Sequence, residues 1–200
     1  MTILESPRIG GVDLSLTSTG LARLDMTRPN PLNTWCCKTG KLRGHDRVTY
    51  ILTAIFSYVG DCDLIAVEGL AFGAKGNALL DLAGLRAIVM RELWIKDLIT
   101  VTIPPANLKK YATGNHQADK LAMYAAALDR LRPEGALIGV THDEADAAWL
   151  AQMTGDKYGC PLAKMPQAQR ATIDALHRDK RRRGQPVIDW PELPAQVPAA

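Results

Sequence analysis

Cysteine is sparse and unpaired in this chain. Its four cysteines, Cys36, Cys37, Cys62 and Cys160, show no C-x-x-C spacing, which argues against a zinc site and suits reduced thiols in a cytoplasmic protein. Long apolar runs are missing: no segment reaches 18 consecutive apolar residues, so no membrane span is expected. The first residues meet a charged Glu5 early and lack the basic-then-apolar order of a secretory signal. There are only two phenylalanines, there is no internal repeat, and no second glycine-rich phosphate hairpin accompanies the one near the start. What is present is an apolar fraction of 47% over 200 residues, enough for one domain with a sizeable core and appendages.

The net charge of +3 conceals an asymmetry. Residues 164–184 are strongly basic through Lys164, Arg170, Arg178, Lys180, Arg181, Arg182 and Arg183, whereas 1–163 is close to neutral. A neutral body with a basic extension suits a polyanionic partner, although a charge run can also be a solvated helix face. The boundaries expected from this pattern are a domain over 1–160, a basic helical extension over 161–184 and a proline-rich, extended or disordered tail over 185–200.

Periodicity gives the order of elements. Residues 8–14, 20–25 and 32–37 read as strands of an antiparallel meander, with the turn Thr27-Arg-Pro-Asn-Pro31 between the second and third. Residues 46–59 have helical spacing, 63–67 are a short buried strand, and 77–96 form the longest helix, with Asn77 as a candidate cap and a stripe of Leu79, Leu82, Leu85, Ile88, Val89 and Leu93. Strand character returns over 98–103. Helices are expected over 105–112, 117–131 and 143–154, with a loop or short strand over 135–140. The sum is an α/β fold: a mixed sheet flanked by helices, with acidic residues gathered at one sheet edge.

Three acidic points stand out. Asp13 ends the first strand, inside Ile9-Gly-Gly-Val-Asp-Leu-Ser-Leu-Thr-Ser-Thr-Gly20. Glu68 ends the apolar run Leu64-Ile-Ala-Val-Glu68. Asp143 and Asp146 lie three apart on a helix, hence on one face. Alone, each admits an ordinary explanation: Asp13 could cap its own turn, Glu68 could be an exposed strand end, and Asp143 with Glu144 could complement a helix dipole. That dipole does not account for Asp146, which precedes the apolar Ala-Ala-Trp-Leu. Carboxylates buried together need positive compensation, and Mg²⁺ prefers such oxygens while keeping sites for water and phosphate. Ser15, Thr17, Ser18 or Thr19 could then contact phosphate.

Taken in order, these segments resemble the RuvC family of Holliday-junction resolvases, within the RNase H-like nucleases. Ile9–Gly20 is similar to the family's opening strand, Ile65-Ala-Val-Glu68 to its second acid, and Asp143-Glu-Ala-Asp-Ala147 to its closing helix. The stretch from Pro105 to Lys120 is similar to its basic segment. The resemblance covers about residues 8–155. It implies an RNase H-like fold with a mixed five-stranded sheet. It also implies two-metal hydrolysis with Mg²⁺ or Mn²⁺, two ions per site, held by Asp13, Glu68, Asp143 and Asp146, with His142 as neighbour or alternate ligand. Lys110 and Lys120, with Lys109 as a further candidate, would hold phosphates near the scissile bond. In the loop from Gly69 to Gly76, Phe72 would probe opened bases as an apolar wedge, and Lys75 would meet phosphate. Branched DNA is the implied substrate, in a bacterial cell or a virus-infected host cell, and the helix over 77–96 the implied homodimer interface.

Other readings differ in class. An actin- or hexokinase-like ATP-binding protein would need a second phosphate hairpin and two large lobes. A YqgF-like RNA-processing nuclease, or a nuclease for flaps and other branched DNA, would share the fold. A non-catalytic nucleic-acid-binding protein would not need all four acids.

Overall fold

The computed structural model describes residues 6–70, 76–139, 141–178 and 190–193. Phe72, Lys75 and the basic run 180–183 lie outside the described residues. The elements are β1 (Ile9–Asp13), β2 (Ser18–Leu24), β3 (Leu32–Lys38), α1 (Gly44–Val59), β4 (Leu64–Glu68), α2 (Asn77–Ile95), β5 (Thr100–Ile103), α3 (Pro105–Thr113), α4 (Lys120–Arg130), β6 (Ala136–Leu137), α5 (His142–Lys157) and α6 (Gln167–Arg178). One 3-10 turn, Arg132–Glu134, separates α4 from β6. Asn77 is the first residue of α2 rather than its cap; Gly76 occupies the cap position with φ 102°.

One sheet of order β5-β4-β1-β2-β3-β6 organises the chain. β1, β2 and β3 form the expected antiparallel meander. β4 joins β1 in parallel, and β5 joins β4 in parallel. The five-stranded expectation gains a sixth, two-residue strand, β6, parallel to β3. It is short because Pro133 and Gly135 hold the preceding turn and only Leu32 and Asn33 have partners there.

Helices cover both faces. Val12, Leu21, Ile65 and Val67 point towards α1 and α2, where Ile51, Ile55, Leu85, Val89 and Leu93 close the layer. Ile9, Ala22, Leu24, Leu64 and Ala66 point the other way, towards α3, α4, α5 and α6. This alternation is the period of two of a strand buried on both faces. Deleting a side chain such as Trp149, fully buried on α5, would cost about 3–5 kcal/mol; the exposed ion pair Arg8–Asp61 is worth about 1 kcal/mol at most.

α5 is the central helix: every residue from Glu144 to Asp156 is buried. Its alanines and two strand glycines explain the close fit. A Cβ on Gly11 would fall onto the Ala147 carbonyl, and one on Gly20 onto the Asp143 carbonyl. Glycine is required at both positions because the helix backbone occupies the space of a side chain.

The C-terminal segment is fastened to this layer by buried amides. Gln152 Nε2 donates to the Ala163 carbonyl at 2.7 Å while its Oε1 accepts from Leu162 N at 2.9 Å. Gln169 accepts from Arg130 and donates to the Ala112 carbonyl, and Arg170 meets Asp156 at 2.8 Å. Part of the proline-rich tail also returns: Trp190 is buried against Tyr158, whose hydroxyl donates to the Pro191 carbonyl at 2.6 Å. Residues 190–193 thus lie against the end of α5 through one aromatic contact and one hydrogen bond. Among the described residues no helix is long and apolar enough to cross a membrane.

Candidate active site

The acids gather not at an edge strand but at the carboxyl ends of two central neighbours, β1 and β4, which run parallel. Such an end is where a sheet of this kind leaves a crevice. Asp13 closes β1 and Glu68 closes β4. The first turn and a half of α5, seated on β1 and β2 by Gly11 and Gly20, adds Asp143 and Asp146. The resulting cleft is lined by Asp13, Glu68, Asp146, Lys109, Lys120 and Arg86, among others.

Electrostatically the cluster is under strain. Asp13 and Asp146 are only 7% and 8% exposed. Burial, then the charges of Glu68, Asp146 and Asp143, push the Asp13 carboxyl well above its usual range. Burial, then the charge of Asp146, raise Glu68 to about 7, with Asp13, Lys120 and Lys109 opposing the rise. Burial is also the main cause that lifts Asp146 to about 6. Asp13 and Glu68 are close enough to share a proton in a hydrogen bond, and Asp146 Oδ1 is buried with no partner among the described residues. A buried, orphaned carboxylate oxygen costs free energy unless something positive meets it.

Asp143 behaves differently. Ser18 Oγ donates to its Oδ2 at 2.5 Å, and Lys120 Nζ donates to its Oδ1 at 3.0 Å. Both oxygens are thus engaged, and Asp143 orients Lys120. Burial alone would lower the Lys120 ammonium, but the bond to Asp143 and the neighbouring acids raise it, so it stays charged. Glu144 serves the start of its own helix. It completes a capping box with Thr141, accepting from Thr141 N and Oγ1 at 3.2 and 2.7 Å. His142 stands edge-on to the Tyr124 ring, 5.4 Å between centroids.

The turn after Asp13 satisfies itself. Thr19 Oγ1 donates to the Ser15 carbonyl at 2.7 Å, and Ser15 Oγ pairs with Thr17. Three of the four hydroxyls expected to meet phosphate are therefore engaged within the turn, and the fourth, Ser18, holds Asp143. Among the described residues the bonds of that turn come from its own hydroxyls and not from Asp13. Of the lysines, Lys109 and Lys120 line the cleft, whereas Lys110 is exposed and outside the lining. The burial of Leu108, Tyr111 and Ala112 sets the phase of α3 and turns Lys110 away.

One cleft residue is not legible in the sequence. Arg86 on α2 donates from Nη2 to Thr102 Oγ1 at 2.7 Å and from Nε to the Glu68 carbonyl at 3.4 Å. It meets no carboxylate among the described residues, and burial lowers its pKa below the ordinary guanidinium range. It ties the end of β4 to α2 and so steadies Glu68.

Among the described residues, no group of three or more His, Cys, Asp or Glu side chains is arranged to hold a metal ion as it stands. The donor set nevertheless fits a hard divalent cation: three carboxylates with raised proton affinity, one with an orphaned oxygen.

No protein-family model matches the sequence, and no curated protein matches it. Solved structures do match. RuvC from Thermus thermophilus superposes with a TM-score of 0.59 at 18% identity, over 80% of this chain and 99% of that one. The same protein in complex with a Holliday junction substrate gives 0.59 at 17%, with the same coverage. The yeast mitochondrial Holliday junction resolvase Ydc2 gives 0.50 at 11%, over 87% of this chain and 83% of that one. With the strand order 5-4-1-2-3, extended here by β6, and helices on both faces, the chain has the RNase H-like fold of RuvC.

Proposed function

We propose that this chain is a metal-dependent endodeoxyribonuclease that resolves four-way DNA junctions by paired nicks. The observation that carries the reading is the cluster of Asp13, Glu68 and Asp146, crowded into one cleft with raised proton affinities and faced by Lys109 and Lys120. Its support at the level of substrate is the fold shared with RuvC, which has been captured with a Holliday junction.

Asp13, Glu68 and Asp146 would hold Mg²⁺ or Mn²⁺, which when bound supplies an activated water and stabilises the leaving oxygen. The chain's own residues do the rest. Lys120, gripped by Asp143, stands on the cleft wall before DNA arrives and loses little freedom on meeting a phosphate. Lys109 adds a second positive charge beside Glu68 and Asp146. Ser18 holds Asp143 so that its other oxygen remains on Lys120. Arg86 keeps Glu68 at the cleft mouth.

Paired nicks need two sites related by a two-fold axis. The outward face of α2 suits such a pairing. Its Leu80, Ile88, Trp94 and Ile95 are 69%, 41%, 76% and 47% exposed, and an apolar face of this kind favours burial against a second copy. Incubation with Mg²⁺ or Mn²⁺ and a four-way junction, a duplex, a flap and an RNA–DNA hybrid tests the reading. Paired symmetric nicks confined to the junction are expected. Cleavage of the hybrid or the flap alone moves the assignment to another nuclease of this fold, and no cleavage of any substrate refutes it. Sedimentation should give a dimer; monomer alone at micromolar concentration, with and without junction, removes the two-fold argument.

A further inference from the structure

Outside the cleft, a strong unmatched charge lies in the ten residues that run from the end of β3 into the first turn of α1, Lys38-Thr-Gly-Lys-Leu-Arg-Gly-His-Asp-Arg47. They hold four cations, Lys38, Lys41, Arg43 and Arg47, against one carboxylate, Asp46. Lys38, Lys41 and Arg43 are exposed and Arg47 is half-buried. None of the four forms an ion pair among the described residues. The two guanidinium groups are steadied by backbone carbonyls instead: Arg43 Nη1 donates to Leu42 O at 2.7 Å and to Gly40 O at 3.2 Å, and Arg47 Nε donates to Leu42 O at 2.9 Å. Each keeps further N–H donors and its whole charge for a ligand.

The patch sits at the acid-bearing end of the sheet. Lys38 is paired with Ser18, and Asp13 with Gly20, on the two edges of β2. Two strand spacings across and two residues along put Lys38 about 12 Å from Asp13. Thr39 binds the turn that follows Asp13, through Thr17 O at 3.1 Å and Leu16 O at 2.9 Å. α1 has the same polarity. Its last residue, Val59, lies where a Cβ on Gly10 would point, so its first turn opens at the acid end, with no side-chain cap. Unmatched cations and a free helix N-terminus favour the same kind of ligand, an anion.

We propose that Lys38, Lys41, Arg43 and Arg47 form a second phosphate-binding surface that grips the backbone of the DNA arm beside the cleft. About 12 Å corresponds to three or four nucleotides along the duplex axis, so one strand that has its scissile phosphate at Asp13 reaches the patch without bending. This rests on the DNA-nuclease reading for its ligand, but its test does not depend on cleavage.

The experiment measures binding of a synthetic four-way junction, without divalent ions, by the full chain and by the variant Lys38→Ala/Lys41→Ala/Arg43→Ala, over a series of salt concentrations. Each phosphate that is no longer neutralised lowers the slope of log affinity against log salt by about 0.9. The triple variant should therefore lose two to three units of slope, with a melting temperature equal to wild type. Should it fail to fold, Lys38→Gln/Lys41→Gln replaces two side chains that make no hydrogen bond among the described residues, and a loss of about two units is expected. A slope within half a unit of wild type in a folded variant overturns the patch and leaves the nuclease reading to its nicking assay. A patch-dependent slope in a chain that does not nick keeps the patch and refutes the nuclease. A wild-type chain that binds no junction at all overturns both.

Discussion

Replacing Asp146 by Asn should make the metal-free protein more stable, with a pH signature that gives the reason. Asp146 is 8% exposed, has an orphaned oxygen, and titrates near 6 rather than at the ordinary 3.8. A folded-state value above the unfolded one means that the native state binds the proton more tightly. Between about pH 4 and 6 the native chain is the more protonated, so its stability falls as pH rises through that window and stays reduced above it. Two pKa units correspond to about 3 kcal/mol. Asn carries no such cost. At pH 8 in EDTA, Asp146→Asn should melt about 6–12 °C above wild type, given 2–4 °C per kcal/mol at this size; at pH 4 the two curves should coincide. Glu68, raised to about 7 partly by Asp146, extends the wild-type decline towards pH 7. Adding Mg²⁺ at pH 8 should stabilise wild type, by about 2.7 kcal/mol at a hundredfold excess over Kd, and the variant by much less. Scanning calorimetry from pH 4 to 8, with and without Mg²⁺, reads all of this. A variant that melts at or below wild type at pH 8 in EDTA would refute the account of the site as carboxylates held together against their repulsion.

Three further outcomes are expected. Asp13→Asn should reduce nicking below about 1% of wild type while keeping or strengthening junction binding, since one negative charge fewer faces the phosphates; near-normal nicking would remove Asp13 from the site. Gly20→Ala would drive a methyl group into the Asp143 carbonyl, costing about 1–3 kcal/mol and shifting Asp143 and Asp146 from β1, so melting temperature and nicking should fall together. Arg86→Lys cannot reproduce both the Thr102 and Glu68 bonds, and nicking at saturating junction should drop about tenfold, the effect of roughly 1.4 kcal/mol on a rate; an unchanged rate would make Arg86 a packing residue only.

Much of the architecture is legible in the residues themselves. Apolar runs that stop at an acid mark β1 and β4 with Asp13 and Glu68, and an acid followed by Ala-Ala-Trp-Leu marks Asp146 as inward-facing. Other features are set by helical phase or by partners distant in sequence. Lys109 and Lys110 are neighbours in sequence but about 100° apart on α3, and only the buried positions of Leu108 and Tyr111 decide which one reaches the cleft. Arg86 hides within an apolar stripe because its partners are a carbonyl and a threonine, neither of which leaves a charge pattern. The docking of α6 rests on Gln152 and Gln169, buried amides that read as surface residues until their partners are seen. Thr141 and Glu144 do spell a capping box in sequence, and recognising it assigns Glu144 to the helix start.

The burial of α5 along its length has a dynamic consequence. A helix enclosed from Glu144 to Asp156 should exchange its amide hydrogens only when the whole domain opens. The backbone that carries Asp146 therefore keeps its place relative to β1 on every timescale shorter than unfolding. Glu68, partly exposed at the end of β4 and held through its carbonyl by Arg86, is the most accessible of the three cleft acids. Rearrangement on ligand arrival then falls to the side chains of the cleft, against a scaffold that stays still.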